Sequence, residues 1–317
     1  MGVWPRKRAS RQVARLRSYP EFKEPKLQGF AGYKAGMTNL QITEEDKNKT
    51  GSGQDKSVPA TIIECPPMKI ASIRLYKQEG RNLKLAKQLN FKSEKELVRT
   101  LKLNQKKTTT KEQLEKINSE EYDEVRVQVY TMPKLTGKKK TPELFELALG
   151  GSVQEKIDFV KENHDKQITI DQIFEEGSLV DTHSVTKGKG FQGPIQRYGI
   201  GKYSIKSEKG NRTPGSMGGW IAHAHWMYRI PKAGQDGYHQ RVQNNNLILK
   251  ISDKPEEINP RGGFINYGEV KNQYVLVKGS IPGPKKRLIT LTQPMRPGPK
   301  PKYSSESIKA ISKESQQ

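Results

Sequence analysis

Acidic residues are scarce beside the basic ones, and cysteine is almost missing. The 317-residue chain has 34 Asp+Glu against 57 Lys+Arg, a formal net charge of +23. A compact body with that charge repels itself, so an acidic partner is required: nucleic acid or an anionic membrane surface. The single cysteine, Cys65, excludes a disulfide framework and a cysteine-based zinc site, and fits a reducing compartment. No apolar run approaches the roughly 20 residues of a membrane span. The N-terminal residues are charged without an apolar stretch, unlike a secretory signal, and Arg6 stands where myristoylation wants Ser or Thr. Hydrophobic residues make up 32%, enough for a thin core. These features predict a soluble, cytoplasmic protein.

The charge is unevenly spread. Residues 1–20 hold six cations and no acid, among them Arg6, Lys7, Arg8 and Arg11. Residues 270–305 hold eight and no acid, including Lys285, Lys286, Arg287 and Arg296. Residues 186–242 hold ten against Glu208 and Asp236, whereas 81–167 are nearly balanced, with nineteen against fourteen. Acid-free segments are often disordered tails, which suits the termini but not the middle of the chain.

The balanced segment reads as helical. Ser93 to Glu96 and Ser152 to Glu155 are capping boxes, and Thr141-Pro142-Glu143 places a cap before a first-turn proline, with Gly150-Gly151 as the stop. Val125 to Val129 alternates as a strand, and Val58 to Glu64, Leu247 to Ile251, Tyr274 to Val277 and Leu288 to Leu291 are short β-type runs. Strands on both sides of a helical stretch predict one β-barrel or sandwich with a helical insertion.

Residues 186–242 contain eleven of the 28 glycines and seven aromatics, with no helical or strand period. A structureless loop of that length is improbable in a compact domain, and disorder alone predicts few aromatics. The composition suits a polyanion. Glycine lets backbone N–H groups approach phosphates, Lys and Arg neutralise them, and aromatics give bases a flat platform. Lys187, Gly188, Lys189, Gly190 and Gly193 are expected to form a phosphate clamp. Arg197, Lys202, Arg212, Arg229, Lys232 and Arg241 would neutralise phosphates, and Phe191, Trp220 and Trp226 would pack on bases or wedge between nucleic-acid helices. The run Gly188 to Gly193 matches a dinucleotide fingerprint literally, but Pro194, Gly199 and Gly201 leave no amphipathic helix to follow it. His223, His225 and His239 lack the further ligands a zinc site needs; contact with a phosphate or base edge, or packing on Trp226, is expected instead. No catalytic motif stands out, so no enzyme activity, cofactor or metal is expected.

Three runs carry a resemblance: Thr186 to Gly193, Pro214 to Trp220 with Gly218 inside it, and Ala233 to Arg241. With Gly32 to Thr38, their order and spacing resemble the universal large-subunit ribosomal protein L-three family, archaeal type. The resemblance implies a mostly β fold: a six-stranded translation-factor-like β-barrel with a helical insertion and long basic extensions. The implied division is 1–20 basic N-terminal arm, 21–80 first part of the barrel, 81–167 α-rich insertion, 168–293 second part of the barrel with the extended loop 186–242, and 294–317 a basic, then flexible tail. It further implies a structural protein of the large ribosomal subunit. Such a protein binds the 3′-terminal domain of 23S-type rRNA, nucleates assembly and sends a loop tipped by Trp220 toward the peptidyl transferase centre. The implied partners are that rRNA and neighbouring ribosomal proteins, including a small β-barrel protein; no membrane and no small-molecule substrate. Eukaryotic members carry a modified His shortly before the tip Trp. Glu208 to Arg212 contains none, so that modification is not expected. A nonspecific nucleic-acid-compacting protein is the alternative, since it shares the charge but needs no glycine- and aromatic-rich internal loop.

Overall fold

Short aliphatic runs bounded by Gly, Pro, Asn or Asp become strands that are buried on both faces. The computed structural model describes residues 5–43, 53–91, 94–101, 114, 117–208, 210–216, 230–299 and 307–314. These are mostly β. The strands are β1 (Gly29–Thr43), β2 (Asp55–Glu64), β3 (Met68–Glu79), β4 (Asn82–Asn90), β5 (Glu124–Thr131), β6 (Leu144–Ala148), β7 (Leu179–Val185), β8 (Gly188–Gln192), β9 (Gly234–Gly237), β10 (Gln240–Ser252), β11 (Tyr274–Lys278), β12 (Leu288–Thr292) and β13 (Ile308–Ile311). The α-helices are α1 (Lys95–Leu101), α2 (Val153–Asn163) and α3 (Pro194–Tyr198). The chain divides into a smaller unit, residues 1–12 and 185–241, and a larger one, residues 13–184 and 242–317.

The larger unit holds a seven-stranded sheet in the order β12-β7-β10-β11-β2-β1-β13. A further pairing, β1 with β12, links β1, β12, β7, β10, β11 and β2 in a cyclic order. β1 makes this possible by its length. Its first residues pair with β12 from Gly29↔Thr292 to Tyr33↔Leu288, its remainder pairs with β2, and Leu40 to Ile42 meet β13. Gly32 is required at the crowded centre, where a Cβ would lie 2.5 Å from Ile63 Cγ2 and 2.8 Å from Glu64 O. A second sheet, β4-β3-β5-β6, packs into the same continuous apolar core. Cys65 lies in that core, and burial pushes its thiol well above the ordinary value.

The runs expected as strands are found within β2, β5, β10, β11 and β12, and the Ser152 capping box opens α2 with both of its hydrogen bonds. Three expectations change. The helix expected from Thr141 is β6, because Phe145 and Leu147 alternate into the core while the strand pairs with β5. The first-turn acid is used elsewhere: Glu143 accepts from the Tyr33 hydroxyl at 3.0 Å and pairs with Lys139 at 2.7 Å. The segment 81–167, expected to be α-rich, carries β4, β5 and β6 beside α1 and α2, since β3 offers both of its edges as templates. Ser93 of the first capping box lies outside the described residues. Within the tail expected to be flexible, β13 is ordered by β1 and by Lys309, 2.8 Å from Asp55.

β7 carries a half-buried histidine. His183 Nε2 is 2.9 Å from Thr292 Oγ1, and its Nδ1 is buried with no hydrogen-bond partner among the described residues. Burial lowers its pKa from 6.5 to about 4, against the opposing pull of Asp181. The unfolded chain therefore binds this proton near pH 6.5 and the folded chain only near pH 4. Stability is full above the higher value and falls as pH drops through the window, by about 3 kcal/mol in all. Urea unfolding at both ends of the window should show this loss in the wild-type chain. The His183→Gln variant should lose less by that amount, with acid effects on carboxylates common to both. Equal losses would reject the assignment.

Candidate nucleic-acid interface

The smaller unit contains fourteen Lys or Arg against Glu208 and Asp236, about half of the net charge of +23 in less than a quarter of the chain. Its frame is an antiparallel ribbon of β8 and β9, with Gly190 opposite Asp236 and Phe191 opposite Gln235. The register shifts between Gly188 and Gly190, so Lys189 is the extra residue of a bulge. Gly237 sits at φ +70°, and a Cβ there would lie 2.1 Å from Lys187 O, so only glycine closes this ribbon. α3 follows directly. Gly193 is its N-cap, Pro194 stands in the first turn, and Gly199 ends it in the left-handed conformation.

Arg197 holds this unit together. Its Nε donates to Gln235 O at 3.0 Å, its Nη1 to Lys232 O at 2.9 Å and its Nη2 to Arg6 O at 3.2 Å. Arg6 returns the contact, with Nη1 donating to Arg197 O at 2.6 Å and its guanidinium 4.0 Å above the Tyr198 ring. The N-terminal arm continues along the same unit. Ala9 N donates to Tyr238 O at 2.8 Å, and Arg241 Nη1 donates to Pro5 O at 3.1 Å. Burial and the nearby charge of Arg6 push the Arg241 guanidinium below its ordinary value. His239 is buried between the two strands of chain. Its Nδ1 donates to Lys7 O at 2.9 Å and its Nε2 accepts from Gly237 N at 3.0 Å, which fixes the neutral tautomer.

Two expectations are thereby corrected. Arg197 and His239 were expected to face phosphates or base edges, but their polar atoms satisfy backbone groups of their own unit. A glycine-rich segment with few ladder bonds must find partners for its carbonyls somewhere, and these side chains supply them. The segment also has more secondary structure than its lack of period predicts: β8, α3, β9 and the start of β10 lie within 186–242.

The remaining cations face outward. Lys7, Arg8, Arg11, Lys187, Lys189, Lys202 and Arg212 are exposed, and Lys232 is half-buried. Of these seven, Lys189 alone meets a carboxylate among the described residues, Asp236 at 3.3 Å. Gly188, Gly190 and Gly193 are open beside them, and Phe191 is 78% exposed. Sequence reasoning missed two further exposed groups, Tyr203 at 48% and Ile205 at 92%. Their isolation among lysines and serines was the available signal. Gly218, Trp220, His223, His225, Trp226 and Arg229 lie outside the described residues.

The larger unit holds the other expected cations. Lys286 is exposed at φ +69°, and its N donates to Lys34 O at 2.8 Å. Lys34 Nζ anchors the same loop through Ile281 O at 2.5 Å and Gly283 O at 3.1 Å, with its pKa lowered by burial and by Lys285. Lys285 and Arg287 are half-buried, and Nε and Nη1 of Arg287 are withdrawn from solvent. Arg296 is exposed, while its carbonyl accepts from Asn245 Nδ2 at 3.0 Å. Among the described residues no group of His, Cys, Asp and Glu could hold a metal ion, and no helix is long and apolar enough to cross a membrane.

The family model for ribosomal protein L3 matches residues 1–317. The chain belongs to the ribosomal protein L3 family. Curated relatives agree along the chain. It is 42% identical to the large ribosomal subunit protein uL3 of Archaeoglobus fulgidus, over 99% of this chain and 95% of the relative. The protein of the same name from Methanocaldococcus jannaschii is 44% identical over 92% of this chain and 89% of the relative. That from Methanopyrus kandleri is 39% identical over 99% and 89%. The chain is thus a ribosomal protein, and rRNA binding and translation follow from its family.

Proposed function

We propose that the chain is a structural protein of the large ribosomal subunit, in the cytoplasm, and that it has no catalytic role. In this reading it binds the 3′-terminal domain of 23S-type rRNA and nucleates subunit assembly. In the same reading the cyclic six-strand order closes as a translation-factor-like barrel, and the loop 186–242 reaches the peptidyl transferase centre. Lys187, Lys189, Lys202 and Arg212 neutralise phosphates there, with Lys7, Arg8 and Arg11 beside them, while Arg6 braces Arg197 and Tyr198. Phe191 packs on bases, and so do Trp220 and Trp226.

One observation carries the reading. The smaller unit turns the hydrogen bonds of Arg197 and His239 inward to hold the glycine-rich backbone, and leaves Lys187, Lys189, Lys202, Arg212 and a bare aromatic ring outside. That is a scaffold with an outward cationic face, and phosphates with unpaired bases are its complement. No dinucleotide helix opens at Gly193: Gly188 and Gly190 are paired in a ribbon, and α3 has five residues.

Tagged chain expressed in its own host should sediment with salt-washed large subunits. Protease should cut within 186–242 in the free chain and not in the subunit. The free chain should also prefer large-subunit rRNA to duplex DNA at matched salt. Equal affinity for the two, with cleavage unchanged in the subunit, would favour the nucleic-acid-compacting alternative.

A further inference from the structure

On a chain with this excess of positive charge, one groove of the larger unit is acidic. It has a volume of about 470 Å³ and lies between the segments 20–26, 173–179 and 293–298. Its walls include Phe22, Phe174, Pro294 and Met295, the last 42% exposed. Its rim carries Glu21, Glu24 and Glu175 against one cation, Lys26. Lys26 is already used: its Nζ lies 2.6 Å from Glu24 Oε2 and 5.2 Å from the centre of the Phe22 ring. Glu21 and Glu175 are exposed and meet no cation among the described residues.

We infer that this groove docks a cationic peptide segment of a neighbouring protein, one that inserts an aliphatic or aromatic side chain between Phe22 and Met295. Two carboxylates flanking an apolar slot repel phosphate, so nucleic acid is not the occupant. They attract Lys or Arg, whose long aliphatic stems also cover apolar walls. The volume suits a few side chains of an extended segment. Pro20, Pro294 and Pro297 along the walls fix the backbone and offer no N–H. Recognition therefore rests on side-chain burial and charge. The inference concerns a protein neighbour and is independent of the rRNA contacts of the smaller unit.

The test uses the full-length chain and a fluorescein-labelled peptide, Lys-Arg-Leu-Pro-Phe-Arg-Lys, with an analogue carrying Ser for Leu and Phe. The apolar peptide should bind roughly tenfold more tightly than the serine analogue. The Glu21→Gln, Glu175→Gln double variant, whose changes are both at exposed positions, should weaken it roughly fivefold. In large subunits carrying benzoylphenylalanine in place of Met295, light should join the chain to a Lys- or Arg-rich segment of another protein, identified by mass spectrometry. Equal affinity for both peptides, or a double variant as tight as wild type, overturns the inference. So does crosslinking to rRNA or to a second copy of this chain. Should the chain be missing from large subunits while the peptide results hold, the groove assignment stands and the ribosomal placement falls.

Discussion

Glu64→Ala is expected to destabilise the larger unit by roughly 3–5 kcal/mol. The carboxylate ends β2 and is fully buried. It faces no cation among the described residues and is held by donors alone. Oε1 accepts from Lys271 N at 3.0 Å, Asn272 N at 3.0 Å and Asn272 Nδ2 at 2.6 Å, and Oε2 accepts from the Tyr267 hydroxyl. Burial and then the charge of Glu64 push the Tyr267 hydroxyl above its ordinary range. Removal strands four donors, the buried Tyr267 hydroxyl and three part-buried N–H groups of Lys271 and Asn272, and an orphaned buried group costs about 1–3 kcal/mol before water refills part of the space. Glu64→Gln keeps an acceptor for the three N–H groups, and the Tyr267 hydroxyl can turn to accept. Its loss should be less than half that of the alanine variant. Urea unfolding of the three proteins reads this directly. An alanine variant within about 1 kcal/mol of wild type would show that the carboxylate does not hold the loop 267–272.

The second large effect is on binding. If the smaller unit meets about 6–8 phosphates, the logarithm of its affinity for large-subunit rRNA should fall by roughly 4–6 per decade of salt. The exposed cations Lys7, Arg8, Arg11, Lys187, Lys189, Lys202 and Arg212 supply that number without help from Arg197. Changing Lys7, Arg8 and Arg11 together to alanine should reduce the slope by roughly 2. It should leave the unit folded, because the arm is docked through Pro5, Arg6, Lys7 and Ala9 backbone groups. Arg197→Ala should act differently, loosening the unit itself and raising its protease sensitivity without RNA. Filter binding across a potassium chloride series measures the slopes. A slope near zero would remove counterion release as the source of affinity.

Much of the fold could be read where burial is two-sided. All five residues of β12 are buried, as are four of the five in β11, and such runs look apolar from the sequence alone. β4 could not be read this way. Its first six positions are exposed, and its pairing with β3 sets its course. β6 was obscured because Thr-Pro-Glu is a good helix start, and only the tertiary partners of Glu143 overrule it. At the candidate interface, residue types and their clustering were legible, and so was the need for an outside anion. The division of labour was not. Arg197 and Lys202 look alike in sequence, yet one braces the backbone and the other faces solvent. Only the placement of carbonyls distinguishes them.

The docking of the arm also sets a timetable. Arg6 meets Arg197 across 191 positions, Lys7 meets His239 across 232, and Pro5 meets Arg241 across 236. At ordinary elongation rates these arm residues wait on the order of 10–50 s for their partners to be made. For that interval the carbonyls of Pro5, Arg6 and Lys7 lack the Arg241, Arg197 and His239 side chains that hold them in the folded unit.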